Sequence, residues 1–287
     1  MIAAGRRVAD FESSLSQYVG GRAGVATATG TDALVLALAA AGVSAGDEVV
    51  LPTYVCRDVM LAVRRLRGTP VLCDVSDAWC STAADVRACL TDRTRAVIAV
   101  DALGIRAPIA EMAALGVPVI EDACQALAPT APAAGAVARV YSFHATKCLT
   151  TGEGGMVVTD DEHLAASLRS FRDDQRFVAP LSDFAASLGI AQLARHPEAQ
   201  TRRRRLVEQA LIRWAPAATQ MFAARLDRSA LFRLPLWLDA DFDAFAAACR
   251  DRGVMVRRGV DALLHRALGR PDADFPGAVA AFQHTIS

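Results

Sequence analysis

Residues 96–122 read AVIAVDALGIRAPIAEMAALGVPVIED and contain one complete alternation of strand and helix. Ala96–Val100 and Val117–Ile120 are short and apolar, which is typical of buried parallel strands. Between them, Ile109–Leu115 carries apolar residues at helical spacing, and Gly116 follows as a helix stop. A strand, a helix and a second strand in this order predict a parallel pair joined by a helical crossover.

The same alternation extends over the first two thirds of the chain. Further strands are predicted at Val49–Leu51 and Pro70–Cys73. Helical patterns cover residues 32–41, 57–66 and 83–90, with Gly42 and Gly68 as stops after the first two. This rhythm predicts an α/β fold, with a mostly parallel open sheet and helices on both of its faces. Ligands of such sheets bind at the carboxyl ends of the strands.

After Gly155 the pattern is that of a smaller α+β region. Strands are predicted at Met156–Thr159 and Phe232–Leu238, and helices at Asp161–Arg172, Asp183–Arg195 and Asp241–Arg252. Arg202–Arg205 opens one more helix, and we interpret its four charges as a solvated face. We therefore expect a large domain at residues 1–200 and a small C-terminal domain at residues 201–287.

The bulk composition argues against several classes of protein. Hydrophobic residues make up 53% of the chain and the net charge is zero, so a nucleic-acid partner is not expected. Neither a membrane-spanning run nor the apolar core of a signal peptide is present, which predicts a cytoplasmic protein. The 7 cysteines contain no CxxC pair and the 5 histidines are scattered, so neither a disulfide framework nor a metal site is predicted.

One basic residue differs from all the others. Of the 31 lysine and arginine residues, only Lys147 is a lysine. Arginine replaces lysine wherever a solvated charge suffices, but guanidinium stays protonated and cannot attack a carbonyl as a neutral amine can. Because Lys147 precedes the glycine-rich turn Gly152–Gly155, it is a candidate Schiff-base lysine. The alternative is a surface lysine that survived by chance.

Two polar features fall where the strand ends are expected to meet. Gly30 and Thr31 lie in a turn of small residues that opens a helix, where backbone N–H groups and hydroxyls form a phosphate site. Thr31 or Asp32 would also serve as a simple helix cap. Asp122 ends a buried strand, where its carboxylate could pair with a protonated pyridine nitrogen or cap the next helix.

Two more features complete the set. Ser142 lies five residues before Lys147, at the end of a strand that begins near Val140, and its hydroxyl could reach a phosphate. Gly152–Gly155 lets the backbone pass close to a bound ring or to a partner subunit, although an ordinary turn would look the same. Together with Lys147, these features describe a pyridoxal phosphate site.

At these residues the chain resembles the DegT/StrS-type sugar aminotransferase family, of the fold-type I pyridoxal phosphate class. The resemblance runs from about Phe11 to the end of the chain. The matching stretches are Gly30–Leu34, Gly46–Pro52, Glu121–Gln125, Ser142–Lys147 and Gly152–Gly155.

The resemblance implies a role for each site residue. Lys147 would form the Schiff base, Asp122 would keep the pyridine nitrogen protonated, and Gln125 would touch the region of the ring hydroxyl. Gly30, Thr31 and Ser142 would bind the phosphate. A dehydratase branch of the family has histidine at the lysine position, and Lys147 argues against that branch.

The resemblance also implies the reaction and the assembly. An amino group, usually from glutamate, would pass to a keto sugar carried on a nucleotide, with the freed Lys147 amine moving the proton. The active site would lie at the interface of a homodimer.

The chain departs from the family in three places. Cys56 stands where the family has an aromatic residue that stacks on the ring, although Tyr54 is close by. Val178, Ala179 and Pro180 replace an Asn-x-Arg element that reaches the partner's phosphate, and both ends are shorter than expected. Two alternatives therefore stay open: a pyridoxal phosphate transaminase of a cyclitol or other non-nucleotide keto compound, and a degenerate homologue without catalysis.

Overall fold

The computed structural model describes residues 5–76, 79–129, 135–213, 216–240 and 242–287. The strands are β1 (Ala23–Thr27), β2 (Glu48–Pro52), β3 (Thr69–Cys73), β4 (Thr94–Val100), β5 (Val119–Asp122), β6 (Ala136–Ser142), β7 (Gly155–Thr159), β8 (Leu236–Trp237) and β9 (Thr285–Ile286). The helices up to the middle of the chain are α1 (Arg6–Tyr18), α2 (Gly30–Ala40), α3 (Arg57–Arg65), α4 (Ala83–Arg87), α5 (Ile109–Ala113) and α6 (Glu162–Arg169). Those that follow are α7 (Asp183–Arg213), α8 (Pro216–Ala223), α9 (Phe242–Arg250), α10 (Leu264–Ala267) and α11 (Pro276–His284).

Strands β1 to β7 form one sheet in the order β1-β7-β6-β5-β4-β2-β3. The strands from β6 to β3 run parallel, whereas β7 is antiparallel to both β1 and β6. The predicted mostly parallel sheet is therefore confirmed. In β5, Asp122 lies opposite Val100 of β4 and Val140 of β6, so the carboxyl ends of three parallel strands meet at this carboxylate.

Both faces of the sheet are covered, as predicted. Alternate residues of β7 belong to different cores, with Val157 packed in one and Met156 and Val158 in the other. Helix α2 packs against β6 and β7, and every residue from 33 to 38 is buried. Helices α1 and α7 pack against each other, and residues of both belong to the same core as Met156.

Several local predictions differ from the structure. Strand β1 was not predicted because its small residues give no alternating apolar pattern, and β6 begins at Ala136 rather than near Val140. The chain after α3 turns at Arg67, whose φ is 58°, while the N–H of Gly68 bonds back to the carbonyl of Val63.

The two helices predicted on either side of residue 200 form one helix, α7, which has 31 residues and includes Pro197. The proposed domain boundary at residue 200 thus falls inside α7, and we keep that boundary only as a proposal. The predicted strand Phe232–Leu238 shortens to β8, which pairs with β9 near the end of the chain. The predicted helix start at Asp241 lies outside the described residues.

A buried histidine ties the sheet to the C-terminal region. His265 in α10 is fully buried, and its Nδ1 lies 2.9 Å from Oγ1 of Thr53, directly after β2. Its Nε2 lies 3.0 Å from Oδ1 of Asp272. This contact fixes the segment between Thr53 and α3, which lines the cavity described below.

Within the described ranges, no helix is long and apolar enough to cross a membrane. The same residues hold no cluster of three or more potential metal ligands.

Candidate active site

Three residues of α2, β6 and β7 form a close backbone contact that we call the cradle: Gly30, Ser142 and Gly155. A Cβ atom on Gly30 would lie 2.7 Å from Cβ and 2.9 Å from Oγ of Ser142. A Cβ atom on Gly155 would collide with the carbonyl oxygen of Thr29 and lie 2.8 Å from Cα of Gly30. Glycine is therefore required at both positions, and the Ser142 hydroxyl is held against the first turn of α2.

The first turn of α2 keeps free N–H groups for an anion. Thr29 is the N-cap, and its Oγ1 accepts a 3.0 Å hydrogen bond from the N–H of Asp32. The alternative roles of Thr31 and Asp32 as caps are thus wrong. Thr31 is half-buried in this turn, and Asp32 forms a 2.7 Å ion pair with Arg65. An 11-residue helix that starts beside Ser142 presents its positive end at the cradle.

Asp122 is buried at the end of β5, and its Oδ1 accepts a 3.1 Å hydrogen bond from the N–H of Cys124. The pKa shifts of two nearby thiols show that both Asp122 and Lys147 lie close to them. Burial first, then the Asp122 carboxylate, raises the pKa of Cys124 well above its ordinary value, while Lys147 opposes the shift. Desolvation, then Asp122, raises the pKa of Cys56 to about 11, again against Lys147. The carboxylate and the amine therefore act on the same small volume.

Lys147 lies in the turn between β6 and β7, half-buried. Its backbone N–H donates a 2.9 Å hydrogen bond to the carbonyl of His144, and its Nζ lies 5.7 Å from the centre of the Phe232 ring. It lines a narrow cleft, called here the lysine cleft, whose walls include Cys124, Gln125, Ser142, Lys147 and Phe232. The structure thus brings Ser142, Gln125 and Lys147 together, as the sequence predicted.

The glycine turn after Lys147 uses its glycines for different reasons. Gly152 has a φ of +81°, a left-handed conformation that favours glycine. A Cβ atom on Gly154 would lie 2.5 Å from Oγ1 of Thr151, and Gly155 belongs to the cradle. This backbone passes close to α2. Its predicted approach to a bound ring or to a partner subunit stays a prediction.

Gln125 joins the lysine cleft to a larger cavity. Its Oε1 accepts a 2.7 Å hydrogen bond from the N–H of Leu103, whose φ is 58°, so the amide orientation is fixed by this turn. The amide NH₂ group remains as a donor on the side chain. Gln125 lines both the cleft and the cavity.

The larger cavity, called here the arginine cavity, has a volume of about 640 Å³. Its charged wall consists of Arg57, Arg233, Arg257, Arg258, Asp58 and Asp261. Burial, then Arg257, lowers the pKa of Arg233, and Asp261 opposes the shift. The half-buried Arg233 and the exposed Arg257 repel each other, and an anionic ligand between them would relieve this repulsion.

The arginines differ in what already holds them. Arg258 donates a 3.0 Å hydrogen bond to the carbonyl of Phe282 and pairs with Asp243 at 3.3 Å. Within the part of the chain that the structure describes, the guanidinium groups of Arg57 and Arg257 have no hydrogen-bond or ion-pair partner. The sequence could not single out these residues, since arginine is its ordinary basic residue.

The family departures have structural counterparts. Cys56 lines the arginine cavity, where its surface is accessible although protein atoms surround the thiol closely enough to desolvate it. Tyr54 is buried against Gly259, where a Cβ atom would collide with the Tyr54 hydroxyl, so its ring is committed to packing at that point. Ala179 accepts a 2.8 Å hydrogen bond from the N–H of Ala28, and Pro180 bridges to Thr27. The replaced Asn-x-Arg segment therefore lies along the chain that leads into the cradle.

A buried pair of carboxyl groups lies behind Asp122. Asp101 and Glu121 are both fully buried, and the N–H of Asp101 bonds to the carbonyl of Asp122 at 3.1 Å. Arg106 pairs with Glu121 at 3.2 Å. Burial, and then the Glu121 charge, raises the pKa of Asp101 well above its ordinary value, against the opposing effect of Arg106. One arginine facing two buried carboxyl groups favours retention of one proton.

The chain is similar to known aminotransferases in sequence and in fold. The family model described as "DegT/DnrJ/EryC1/StrS aminotransferase family" matches residues 1–267. The chain is 34% identical to GDP-perosamine synthase of Caulobacter vibrioides over 78% of its own length and 67% of that protein. It is 37% identical to L-glutamine:scyllo-inosose aminotransferase of Streptomyces griseus over 58% of its length and 42% of that protein.

The solved structures agree with this likeness. The crystal structure of DesI, analysed in the presence of its TDP-sugar product, has a TM-score of 0.88 and 27% identity. The match covers 100% of this chain and 80% of that one.

Proposed function

The chain belongs to the DegT/DnrJ/EryC1/StrS aminotransferase family, and from that premise we propose that it moves an amino group from glutamate onto a nucleotide-linked keto sugar. Its cofactor is pyridoxal phosphate. The family, the enzyme class and the cofactor predicted from the sequence motifs are thus confirmed. The sugar, the amino donor and the role of each site residue are the parts that we propose.

The described residues fit the cofactor. The close contacts at Gly30 and Gly155 hold the first turn of α2 beside the Ser142 hydroxyl, and the N–H groups of that turn together with this hydroxyl would bind a phosphate. The buried Asp122 carboxylate would accept the N–H of a protonated pyridine ring, and the Gln125 amide would donate to the ring hydroxyl region. Thr31, in the first turn of α2, would add a hydroxyl to the phosphate site.

Pyridoxal phosphate, when bound, draws electrons away from the carbon that carries the amino group. Lys147 would hold the cofactor through its Nζ, and this amine would become free once the amino donor is bound. The freed Nζ then removes the proton from the donor carbon as a general base. In the second half of the cycle it returns a proton to the carbon of the sugar as a general acid.

The arginine cavity is the observation that favours a nucleotide-linked sugar. It adjoins the lysine cleft through Gln125, and the guanidinium groups of Arg57 and Arg257 form no ion pair within the described ranges, although Asp58 and Asp261 line the same cavity. A nucleoside diphosphate would supply oxygen atoms for these guanidinium groups. A cyclitol would leave them without a partner.

A transaminase of a cyclitol is the second candidate, and the similarity to the Streptomyces griseus aminotransferase favours it. A degenerate homologue is a third possibility, for which Cys56 and the replaced segment Val178–Pro180 argue. The joint retention of Lys147, Asp122 and the glycine cradle argues against it. A lysine without a function would be expected to have become arginine, as at every other basic position of the chain.

We also propose a homodimer. Helix α7 exposes Phe184 and Leu188 to solvent, with 79% and 39% of their surfaces accessible. The same helix borders a second cavity of about 640 Å³, which reaches Cys148 beside Lys147. A second copy seated there would cover these apolar residues next to the active site. A cytoplasmic location likewise stays a proposal.

The test is turnover with glutamate and two acceptors, a nucleoside diphosphate keto sugar and scyllo-inosose, measured as 2-oxoglutarate formed. We expect product with the nucleotide-linked sugar only. Product with scyllo-inosose alone would establish the second candidate. A cofactor-loaded protein with no turnover on any keto acceptor, with glutamate or glutamine as donor, would establish the third.

A further inference from the structure

One arginine of the run Arg202–Arg205 does not lie on a solvated face. Arg202, Arg204 and Arg205 are exposed, as predicted, but Arg203 is half-buried. It lies seven residues after the buried His196, on the same face of α7. The interpretation of all four charges as solvated is therefore wrong for this one residue.

The Arg203 guanidinium joins two segments that are far apart in the sequence. Its Nη1 lies 2.8 Å from Sγ of Cys148, the residue after Lys147. The same nitrogen lies 3.2 Å from the carbonyl oxygen of Leu231 and 3.4 Å from that of Phe232. A single side chain thus connects the lysine turn to the segment that leads into β8.

The segment that Arg203 holds has a strained turn. Leu231 has a φ of 52°, a left-handed conformation that is strained for a residue with a Cβ atom. Its N–H bonds to Oγ of Ser229 at 3.1 Å, and the N–H of Ala230 bonds to the carbonyl of Gly104 at 2.7 Å. Such a turn persists because these contacts and the Arg203 guanidinium determine it from several sides.

The result of this turn is the position of the Phe232 ring. The ring centre lies 5.7 Å from Nζ of Lys147, and the ring forms one wall of the lysine cleft. Cys56 stands where the resemblance to the family implies an aromatic residue stacked on the cofactor ring. Phe232 is thus an aromatic wall for the reacting amine that comes from another part of the chain.

We propose that Arg203 is a positioning residue, which fixes the turn at Leu231 and so holds the Phe232 ring against Lys147. The proposal rests on the proposed function in one respect, namely that Lys147 is the reacting amine. Arg203 itself touches neither the cofactor cradle nor the arginine cavity.

The first measurement needs no activity. Amide hydrogen exchange is followed by mass spectrometry in the cofactor-free protein for wild type, Arg203→Gln and Arg204→Gln. We expect faster exchange in Arg203→Gln confined to residues 143–152 and 229–234, with the strand Thr94–Val100 unchanged. Arg204→Gln is the matched control, because it removes an exposed charge from the same run. Exchange as in wild type, or faster exchange throughout the protein, would overturn the proposal.

The second measurement is kinetic. Arg203→Gln should lower kcat roughly 10- to 100-fold, as for a small misplacement of reacting groups, with the KM of the sugar and the visible absorption of the bound cofactor unchanged. Phe232→Leu should give a similar loss, and the double variant should be no worse than either, because both act through one ring. Additive losses, or a rise in KM alone, would contradict the proposal.

The two measurements separate this proposal from the proposed function. If the wild-type protein binds cofactor but shows no turnover, the proposed function fails. The exchange experiment then still decides whether Arg203 joins the two segments.

Discussion

The cradle and the arginine cavity adjoin the same lysine cleft, yet they are built from different parts of the chain. In the cradle, Gly30 and Gly155 bring the backbones of α2 and β7 so close that a Cβ atom has no space. The arginine cavity is lined by long side chains from segments outside the sheet, such as Arg233 and Arg257. A site made of backbone contacts tolerates almost no substitution, whereas a site made of flexible side chains allows a new substrate on an unchanged cofactor.

The largest loss of activity is expected from substitution of Lys147, the reacting amine that lies beside both the cradle and the arginine cavity. Lys147→Arg keeps the positive charge but removes the nucleophilic amine, so kcat should fall by at least about 10³-fold. Steady-state turnover with glutamate and a nucleotide-linked keto sugar measures it. Because the charge is kept, folding should be unaffected, and thermal unfolding provides that control. Residual activity within tenfold of wild type would assign the chemistry to another group.

The cradle can be broken by one methyl group. Gly155→Ala forces a Cβ atom against the Thr29 carbonyl, and overpacking of this kind costs about 1–3 kcal/mol of the free energy of unfolding. Affinity for pyridoxal phosphate should fall as well, because α2 must move. Denaturant unfolding and a cofactor titration measure the two losses.

Gly68→Ala is the matched control for this substitution. Its Cβ atom would lie 3.2 Å from Cγ1 of Val63 and 3.3 and 3.4 Å from the carbonyl oxygens of Val63 and Asp47, which are milder contacts than those at Gly155, and Gly68 lies outside the cradle. Equal losses in both variants would show that the tight backbone approach has no special part in cofactor binding.

The arginine cavity should respond in KM rather than in stability. Arg257→Gln removes a charge-assisted hydrogen bond of about 1.5–3 kcal/mol, which corresponds to a rise in the KM of the nucleotide-linked sugar of roughly 10- to 100-fold. The value of kcat and the affinity for the cofactor should change little. Arg250→Gln, at an exposed position on α9, is the control. A KM that stays at the wild-type value would show that the diphosphate does not bind to Arg257 in this cavity.

The smallest effect is a pH dependence of stability behind Asp122. The pKa of Asp101 is raised by burial and by Glu121, so the folded protein keeps a proton that the unfolded chain releases near pH 4. Above that pH, the free energy of unfolding should therefore decrease with rising pH until the raised pKa is passed, by up to about 1.4 kcal/mol per pH unit.

Asp101→Asn has no proton to lose and should flatten this slope, as seen by denaturant unfolding at a series of pH values. Asp92→Asn, at an exposed position between α4 and β4, should leave the slope unchanged. If the Asp101→Asn protein kept the wild-type slope, the retained proton would belong to a group other than Asp101.

The sequence predicted the cradle side of the site better than the substrate side, for physical reasons. Glycines, a strand-end carboxylate and a sole lysine are residue types with few other uses at such positions, so Gly30, Asp122 and Lys147 stood out. The α/β fold followed from short apolar strands alternating with helices, while β1 was missed because small residues carry no periodic signal.

The substrate side depends on contacts that no local pattern encodes. Arg257 is one of many arginines, and only the fold places it in a cavity with Arg233. Thr29 rather than Thr31 or Asp32 caps α2, because the choice between adjacent polar residues depends on where the helix begins. Arg203 turns inward because it shares a face of α7 with His196, which the run of four arginines concealed.

The central claim is that Lys147 holds pyridoxal phosphate beside the cradle. The most direct measurement is reduction of the cofactor-loaded protein with borohydride, followed by peptide mapping of the label. The account predicts one pyridoxyl group per chain on the peptide that contains Lys147, and its loss in Lys147→Arg. A protein that binds no cofactor, or one labelled only at its terminal amine, would contradict the account.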